Sequence, residues 1–247
     1  MRAAVAACAT VAVSCAAVVV VSSAVAAPAV QTMVVGSGGA VLAQPHTVLA
    51  SATSVRVGSR SCAIASGTPL AALEGLERLR GPSFSLRDYG RCGSSARNSG
   101  QLFVYRLGGE TNHGQDGWEY KVGRVSGTTG AADTSGALGN GRLLSSGERV
   151  LWFWCQASAG GCERTLEVRA PASVARGRTL AVQVTGYDNE GRGRPVGGAI
   201  VTLGTDFAST NSAGRATLFA PSGGGRYSLN AKRGGLVPAF PETIVVR

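Results

Sequence analysis

The 247 residues carry 24 Lys and Arg against 14 Asp and Glu, a net charge of +10, and Lys121 and Lys232 are the only lysines. The arginines are scattered, with no basic block and no nucleic-acid-reading motif, so the composition argues against a nucleic-acid binder. It argues instead for a cationic surface that adheres to anionic envelope polymers, and the heavy use of Ala, Gly, Val and Arg over Lys fits coding in a GC-rich bacterial genome.

The N-terminus reads as an export signal over residues 1–26. Met1-Arg2 is a minimal positive start, an Ala/Val-rich run follows over residues 3–21, and Ala24 and Ala26 have the small-residue spacing that signal peptidase reads. Cleavage is expected after Ala26, because Pro28 disfavours cleavage after Ala27. The alternatives are an uncleaved anchor, since the run nearly spans a bilayer, and a lipoprotein lipidated at Cys8 or Cys15. No second apolar span follows, so no transmembrane segment is expected in the mature chain.

Residues 27–46 are rich in Gly, Ser and Ala and nearly uncharged. They read as a flexible linker or a loosely held first strand. Gly36-Ser37-Gly38-Gly39 lacks the Lys-Ser/Thr ending of a phosphate loop and opens no helix, so it reads as flexible chain. Alternation over residues 47–62, with Arg56 between Val55 and Val57, predicts one or two strands. One helix follows. Thr68 is placed as its N-cap and Pro69 at its first position; Leu70, Leu73, Leu76 and Leu79 form one apolar stripe. Arg78 and Arg80 suit the negative end of the dipole, and Gly81-Pro82 stops the helix. Such a stripe needs a sheet to lie on.

Short strands are predicted at residues 84–86, 102–105 and 118–122. In the last, Trp118, Tyr120 and Val122 share one face and Glu119 and Lys121 the other, the pattern of a half-buried strand. A Gly/Ser/Thr-rich flexible loop over residues 123–141 separates it from a strand at residues 149–155. There Val150, Trp152 and Trp154 alternate with Leu151, Phe153 and Cys155, so both faces are apolar and a central strand is expected. Core packing accounts for Trp152 and Trp154. Trp118 and Tyr120, on a one-sided strand beside the loop, are the candidate ligand-contacting residues.

After Cys162, strand-like stretches recur at residues 165–169, 180–185, 198–203, 216–219, 227–231 and 243–246. Asp188-Asn189-Glu190-Gly191, Asn211-Ser212-Ala213-Gly214 and Pro221-Ser222-Gly223-Gly224-Gly225 punctuate them. This is the rhythm of a β-sandwich. Asp188-Asn189-Glu190 lacks the alternating oxygens of a calcium loop and reads as a turn.

With the signal removed, Cys62, Cys92, Cys155 and Cys162 remain, an even number in an exported chain, so two disulfides are expected. Of the three pairings, Cys62–Cys92 with Cys155–Cys162 is preferred, because the residues between Cys155 and Cys162 turn back easily. A zinc site is disfavoured by spacing, since no CxxC occurs and only His46 and His113 are available. No Gly-x-Ser-x-Gly elbow occurs, and His113 sits in the polar turn Thr111-Asn112-His113-Gly114-Gln115, so no catalytic group and no cofactor is expected.

Thr68-Pro69-Leu70-Ala71-Ala72-Leu73, Gly117-Trp118-Glu119-Tyr120-Lys121-Val122 and the run Leu144-Ser145-Ser146-Gly147-Glu148-Arg149-Val150-Leu151-Trp152-Phe153-Trp154 carry a resemblance. Residues 48–166 resemble a domain of unknown function shared with the C-terminal domain of transcobalamin and intrinsic factor. Two departures stand out: Val122-Gly123-Arg124 in place of Val-Asn-Gly, and Glu148 where Asp is common. The resemblance implies a β-grasp-like domain over residues 47–165, a small mixed sheet with one helix across it. Residues 166–247 are similar in outline to bacterial immunoglobulin-like or carboxypeptidase-regulatory-like domains, through Gly198-Ala199-Ile200-Val201-Thr202-Leu203 and Gly225-Arg226-Tyr227-Ser228-Leu229-Asn230-Ala231. The expectation is therefore a mainly β, two-domain bacterial protein of the envelope that binds or presents a ligand without catalysing. The alternatives are a small-molecule carrier, corrinoid by analogy although no helical partner domain is present in the sequence, and a structural envelope component.

Overall fold

A computed structural model describes residues 26–157 and 161–247. The signal segment before Ala26, with Cys8 and Cys15, lies outside the described residues. The first unit contains β1 (Ala29–Val35), β2 (Val41–Leu49), β3 (Thr53–Val57), β4 (Arg60–Ile64), α1 (Pro69–Arg78), β5 (Phe84–Asp88), β6 (Leu102–Leu107), β7 (Glu110–Thr111), β8 (Gly117–Val122), β9 (Val125–Ser126) and β10 (Arg149–Cys155). The second contains β11 (Thr165–Arg169), β12 (Ser173–Val174), β13 (Thr179–Tyr187), β14 (Gly193–Pro195), β15 (Ile200–Leu203), β16 (Asp206–Ser209), β17 (Arg215–Phe219), β18 (Gly225–Lys232) and β19 (Glu242–Val246). The fold is mainly β with one α-helix among the described residues.

The first unit is built on a sheet of order β2-β1-β10-β8-β9. β1 lies parallel to β10, with Thr32 beside Val150 and Val34 beside Trp152, while β2 and β8 flank this pair antiparallel. The segment expected as a linker over residues 27–46 is thus corrected: it supplies one central strand and most of an edge strand. The physical reason is that β1 is buried on both faces, Val30 and Val34 on one, Met33 and Val35 on the other. A parallel strand covered on both sides shows a run of apolar residues and no alternation. Gly36-Ser37-Gly38-Gly39 is the turn between β1 and β2, and Gly38 and Gly39 take the positive φ (63° and 80°) that the reversal needs.

The helix begins as its sequence predicts. Thr68 Oγ1 accepts from the Ala71 N–H at 3.3 Å, and Pro69 opens the first turn. Leu70, Leu73 and Leu76 are fully buried in one core cluster with Val30, Val34, Trp152 and Tyr120. Leu79 is not the fourth member of the stripe. The helix ends at Arg78, Arg80 turns to a φ of 65°, and Leu79 is left 56% exposed. The hairpin β3–β4 and the sheet β5-β6-β7 close the rest of this core, and the Cys62–Cys92 disulfide ties the two together.

The residue 123–141 loop is also corrected. It contains β9, and Ala131, Ala132 and Ala137 are buried in the core. The Ala131 carbonyl accepts from Leu70 N–H at the start of α1, at 2.8 Å. Small residues let this segment lie close to its neighbours, which the composition disguises as flexibility.

In the second unit, β11 pairs with one side of β13, and β14 and β17 follow each other along its other side. The facing sheet has the order β12-β19-β18-β15-β16. Val168, Val182, Val184, Val201, Leu203, Leu218, Leu229 and Ile244 fill the space between the sheets. Buried Thr210 fixes one corner: its Oγ1 donates to Val196 O at 2.6 Å and accepts from Ala199 N at 2.9 Å.

The two units share an apolar interface. Leu151, Phe153 and Cys155 of β10 join Met33 and Val35 of β1 and Val237 of the second unit in one cluster. The expectation that β8 is half-buried is corrected here too, because the second unit covers its Lys121 face. The Arg124–Glu167 and Arg149–Glu242 ion pairs border the contact at 2.7 and 2.6 Å.

Candidate functional site

Trp118 and Tyr120 are core residues, 3% and 5% exposed. The Trp118 Nε1–H donates to Glu110 O at 3.1 Å, and its ring meets Trp154 edge-on at 5.7 Å. The Tyr120 hydroxyl donates to Thr129 O at 2.9 Å, and its ring lies 5.4 Å from that of Trp152. Burial, with lesser contributions from Glu119 and Asp133, pushes the Tyr120 hydroxyl up to about 12. The segment read as a flexible loop closes over this face, which leaves Tyr120 no free surface for a ligand. Cys62–Cys92 and Cys155–Cys162 are joined in the preferred pairing. His113 packs its ring 5.4 Å from Trp154. Among the described residues no three His, Cys, Asp or Glu side chains come together to hold a metal ion, and no helix is long and apolar enough to cross a membrane.

The chain instead forms a cleft of about 650 Å³ where the two units meet. One wall is the β1–β2 hairpin, through Met33, Gly39, Val41 and Gln44. The opposite wall is the outer face of β15 and β18, where Ile200 stands beside Lys232 and Thr202 beside Asn230. The segment after β18 closes one end with Arg233, Leu236, Pro238 and Pro241. Lys232 and Arg233 line it without an ion-pair partner among the described residues, none of which contributes a carboxylate to the lining. A concave, mainly apolar surface with a few converging polar groups at a domain junction is the usual form of a ligand site. Its polar inventory is two cations, the Gln44 and Asn230 amides and the Thr202 hydroxyl, groups whose chemistry suits an anion.

Elsewhere in the interface the two units are joined by a buried side chain. Lys121 reaches from β8 into the second unit. Its Nζ donates to Asp188 O at 2.7 Å, Tyr187 O at 3.1 Å and Thr165 Oγ1 at 3.2 Å. All three donors of the ammonium are used, yet no carboxylate touches it. Burial brings the Lys121 ammonium down to about 8; Asp188 and Glu190 oppose that shift, and Arg164 adds to it.

None of the cleft residues is legible as a site from sequence. The usable signals were Gly36-Ser37-Gly38-Gly39 as a hairpin turn and the adjacent cations Lys232-Arg233 at a strand end. Comparison of the chain with protein-family models, with curated proteins and with solved structures gives no match.

Proposed function

We propose that this is an exported, envelope-associated bacterial binding protein that holds an anionic ligand in the cleft between its two units and catalyses no reaction. The observation that carries this reading is the charge of the cleft. Two cations without ion-pair partners among the described residues face a cavity that no described carboxylate lines, in a chain whose other arginines include seven that are paired with Asp or Glu. Export is supported by the N-terminal run and by the two disulfides. The resemblance to the transcobalamin C-terminal domain is supported by a parallel central pair flanked by antiparallel strands with a helix across one face. The immunoglobulin-like reading is supported by the two facing sheets of the second unit.

A thermal-shift screen of the oxidised protein from Ala27 onward tests this reading. The panel holds small dicarboxylates, phosphorylated metabolites, anionic wall fragments, cobalamins and neutral analogues of each. A ligand at one hundred times its Kd stabilises by about 2.7 kcal/mol. Stabilisation by one class of anion, lost in Lys232→Ala/Arg233→Ala, is the expected result. No stabilisation by any anion, or equal stabilisation by the neutral analogues, contradicts it.

A further inference from the structure

A second cleft, of about 370 Å³, opens at the far end of the first unit. It borders the outer face of the β5-β6-β7 sheet. Alternation along β6 puts Leu102 and Val104 in the core and turns Phe103 outward, and in β5 Arg87, opposite Phe103, turns outward with it. Just beyond β5, Tyr89 stands 67% exposed with its ring 6.1 Å from that of Phe103, itself 39% exposed. The two rings form an adjacent, solvent-facing aromatic surface at the rim of the cleft.

The polar side of this cleft is held rigidly. Asn112 Oδ1 accepts from Trp118 N at 3.0 Å, and His113 and Asp116 exchange backbone hydrogen bonds at 3.0 and 2.9 Å. Asp116 Oδ1 accepts from Ala157 N at 2.9 Å, beside the Cys155–Cys162 disulfide. The same cleft holds Glu119, a partly buried carboxylate with no ion pair and no side-chain hydrogen bond among the described residues. Burial raises its pKa, and among the described residues no donor satisfies its oxygens.

We propose that this cleft is a binding site for a neutral glycan, with the C–H face of a sugar ring stacked on Tyr89 and Phe103 and its hydroxyls bonded to Glu119 and the Gln115 amide. The pairing of chemistries selects the ligand. Aromatic rings in water take the apolar face of a sugar, and a carboxylate and an amide beside them take its hydroxyls. The charge balance separates this cleft from the interdomain one. Asp116 and Glu119 face a single cation, Arg87, whose guanidinium is already stacked on Tyr105 at 4.7 Å. A polyanion is therefore repelled where the interdomain cleft attracts it. The two sites lie on different parts of the chain, so either stands without the other.

The test is isothermal titration of the oxidised mature chain with hexamers of β-1,4-linked glucose, β-1,4-linked N-acetylglucosamine and α-1,4-linked glucose. At least one is expected to bind, with Tyr89→Ala weakening it about tenfold and Tyr89→Phe retaining most of the affinity. Glu119→Gln is expected to weaken it by a smaller factor, and Lys232→Ala to leave it unchanged. Because Tyr89 and Phe103 face solvent, Tyr89→Ala and Phe103→Ala keep the thermal stability of the parent, which shows that any loss is local. Failure of all three glycans to bind overturns the proposal. So does binding that survives Tyr89→Ala/Phe103→Ala, or saturation of the cleft by tetramethylammonium in place of a glycan, which would make it a cation site.

Discussion

Lys121→Met removes a fully buried charge that no carboxylate pairs among the described residues. Its side chain is enclosed between the units, and burial lowers its pKa from 10.5 to about 8. A lysine whose folded pKa lies below its unfolded value penalises folding wherever it is protonated in both states. The penalty is complete below pH 8, about 3 kcal/mol from the size of the shift, and it disappears as pH rises from 8 to 10.5. Between pH 7 and 9.5 the linkage relation gives the parent protein a gain of about 2 kcal/mol. The Tyr120 hydroxyl acts in the opposite direction only above pH 10, because its folded pKa of about 12 exceeds the unfolded 10. The assay is urea unfolding of the oxidised protein at pH 7, 8, 9 and 9.5, read by tryptophan fluorescence and far-UV circular dichroism. The parent is expected to stabilise across this window and Lys121→Met to be flat. Methionine also leaves Tyr187 O, Asp188 O and Thr165 Oγ1 without that donor. The slope with pH is therefore the readout, and not the stability at one pH. A parent whose stability is constant or falls from pH 7 to 9.5, or a variant that keeps the slope, refutes the reasoning.

Three further perturbations read other parts of the fold. Thr68→Ala removes the helix cap that accepts from Ala71 N and is expected to cost about 1 kcal/mol in chemical unfolding, with Thr68→Ser nearly neutral. Cys155→Ala/Cys162→Ala opens a short loop with a sequence separation of 7 and is expected to cost about 2–3 kcal/mol; a loss below 0.5 kcal/mol would show that this crosslink does not restrain the unfolded chain. A double-mutant cycle on Arg149 and Glu242, which meet at 2.6 Å across the interface, is expected to give about 0.5–1 kcal/mol of coupling that shrinks in 1 M salt. No coupling at low salt would show the pair to be solvent-screened.

The sequence was most legible where local chemistry and burial agree. Thr68, Pro69 and the Leu70, Leu73 and Leu76 stripe predict the helix, because cap, first turn and apolar face are all local signals. β10 was legible as a central strand because Leu151 and Phe153 are as apolar as Val150 and Trp152. The disulfide partners followed from spacing and an even count. β1 was not legible. Its composition is that of a linker, and what makes it a strand is the non-local pairing of Gln31–Val35 with residues 149–153. Lys121 shows the same limit from the other side. A lysine alternating with buried residues reads as solvent-facing, and only the arrival of Thr165 and the 187–188 carbonyls, more than forty residues away, buries it. Trp118 and Tyr120 resemble ligand contacts in the sequence because the segment that covers their face is made of Gly, Ser, Thr and Ala. Those residues carry no apolar pattern, yet pack closely: a Cβ added at Gly130 would stand 1.9 Å from Gly100 O. The interdomain cleft escaped for a related reason. Its walls are residues of the β1–β2 hairpin and of the non-consecutive strand pair β15–β18, Gln44 on one and Thr202, Asn230 and Lys232 on the other, and only the docking of the units brings them together.

The central claim is that an anion binds between the units at Lys232 and Arg233. Its most direct test is an amide-resolved NMR titration of the labelled protein from Ala27 onward with the best anion from the thermal screen. The account predicts saturable shifts centred on Gln44, Thr202, Asn230, Lys232 and Arg233, on both walls at once, and their loss in Lys232→Ala/Arg233→Ala. Shifts confined to one unit, or spread over the scattered surface arginines and abolished by moderate salt, would contradict it and leave an adhesive cationic surface in place of a binding site.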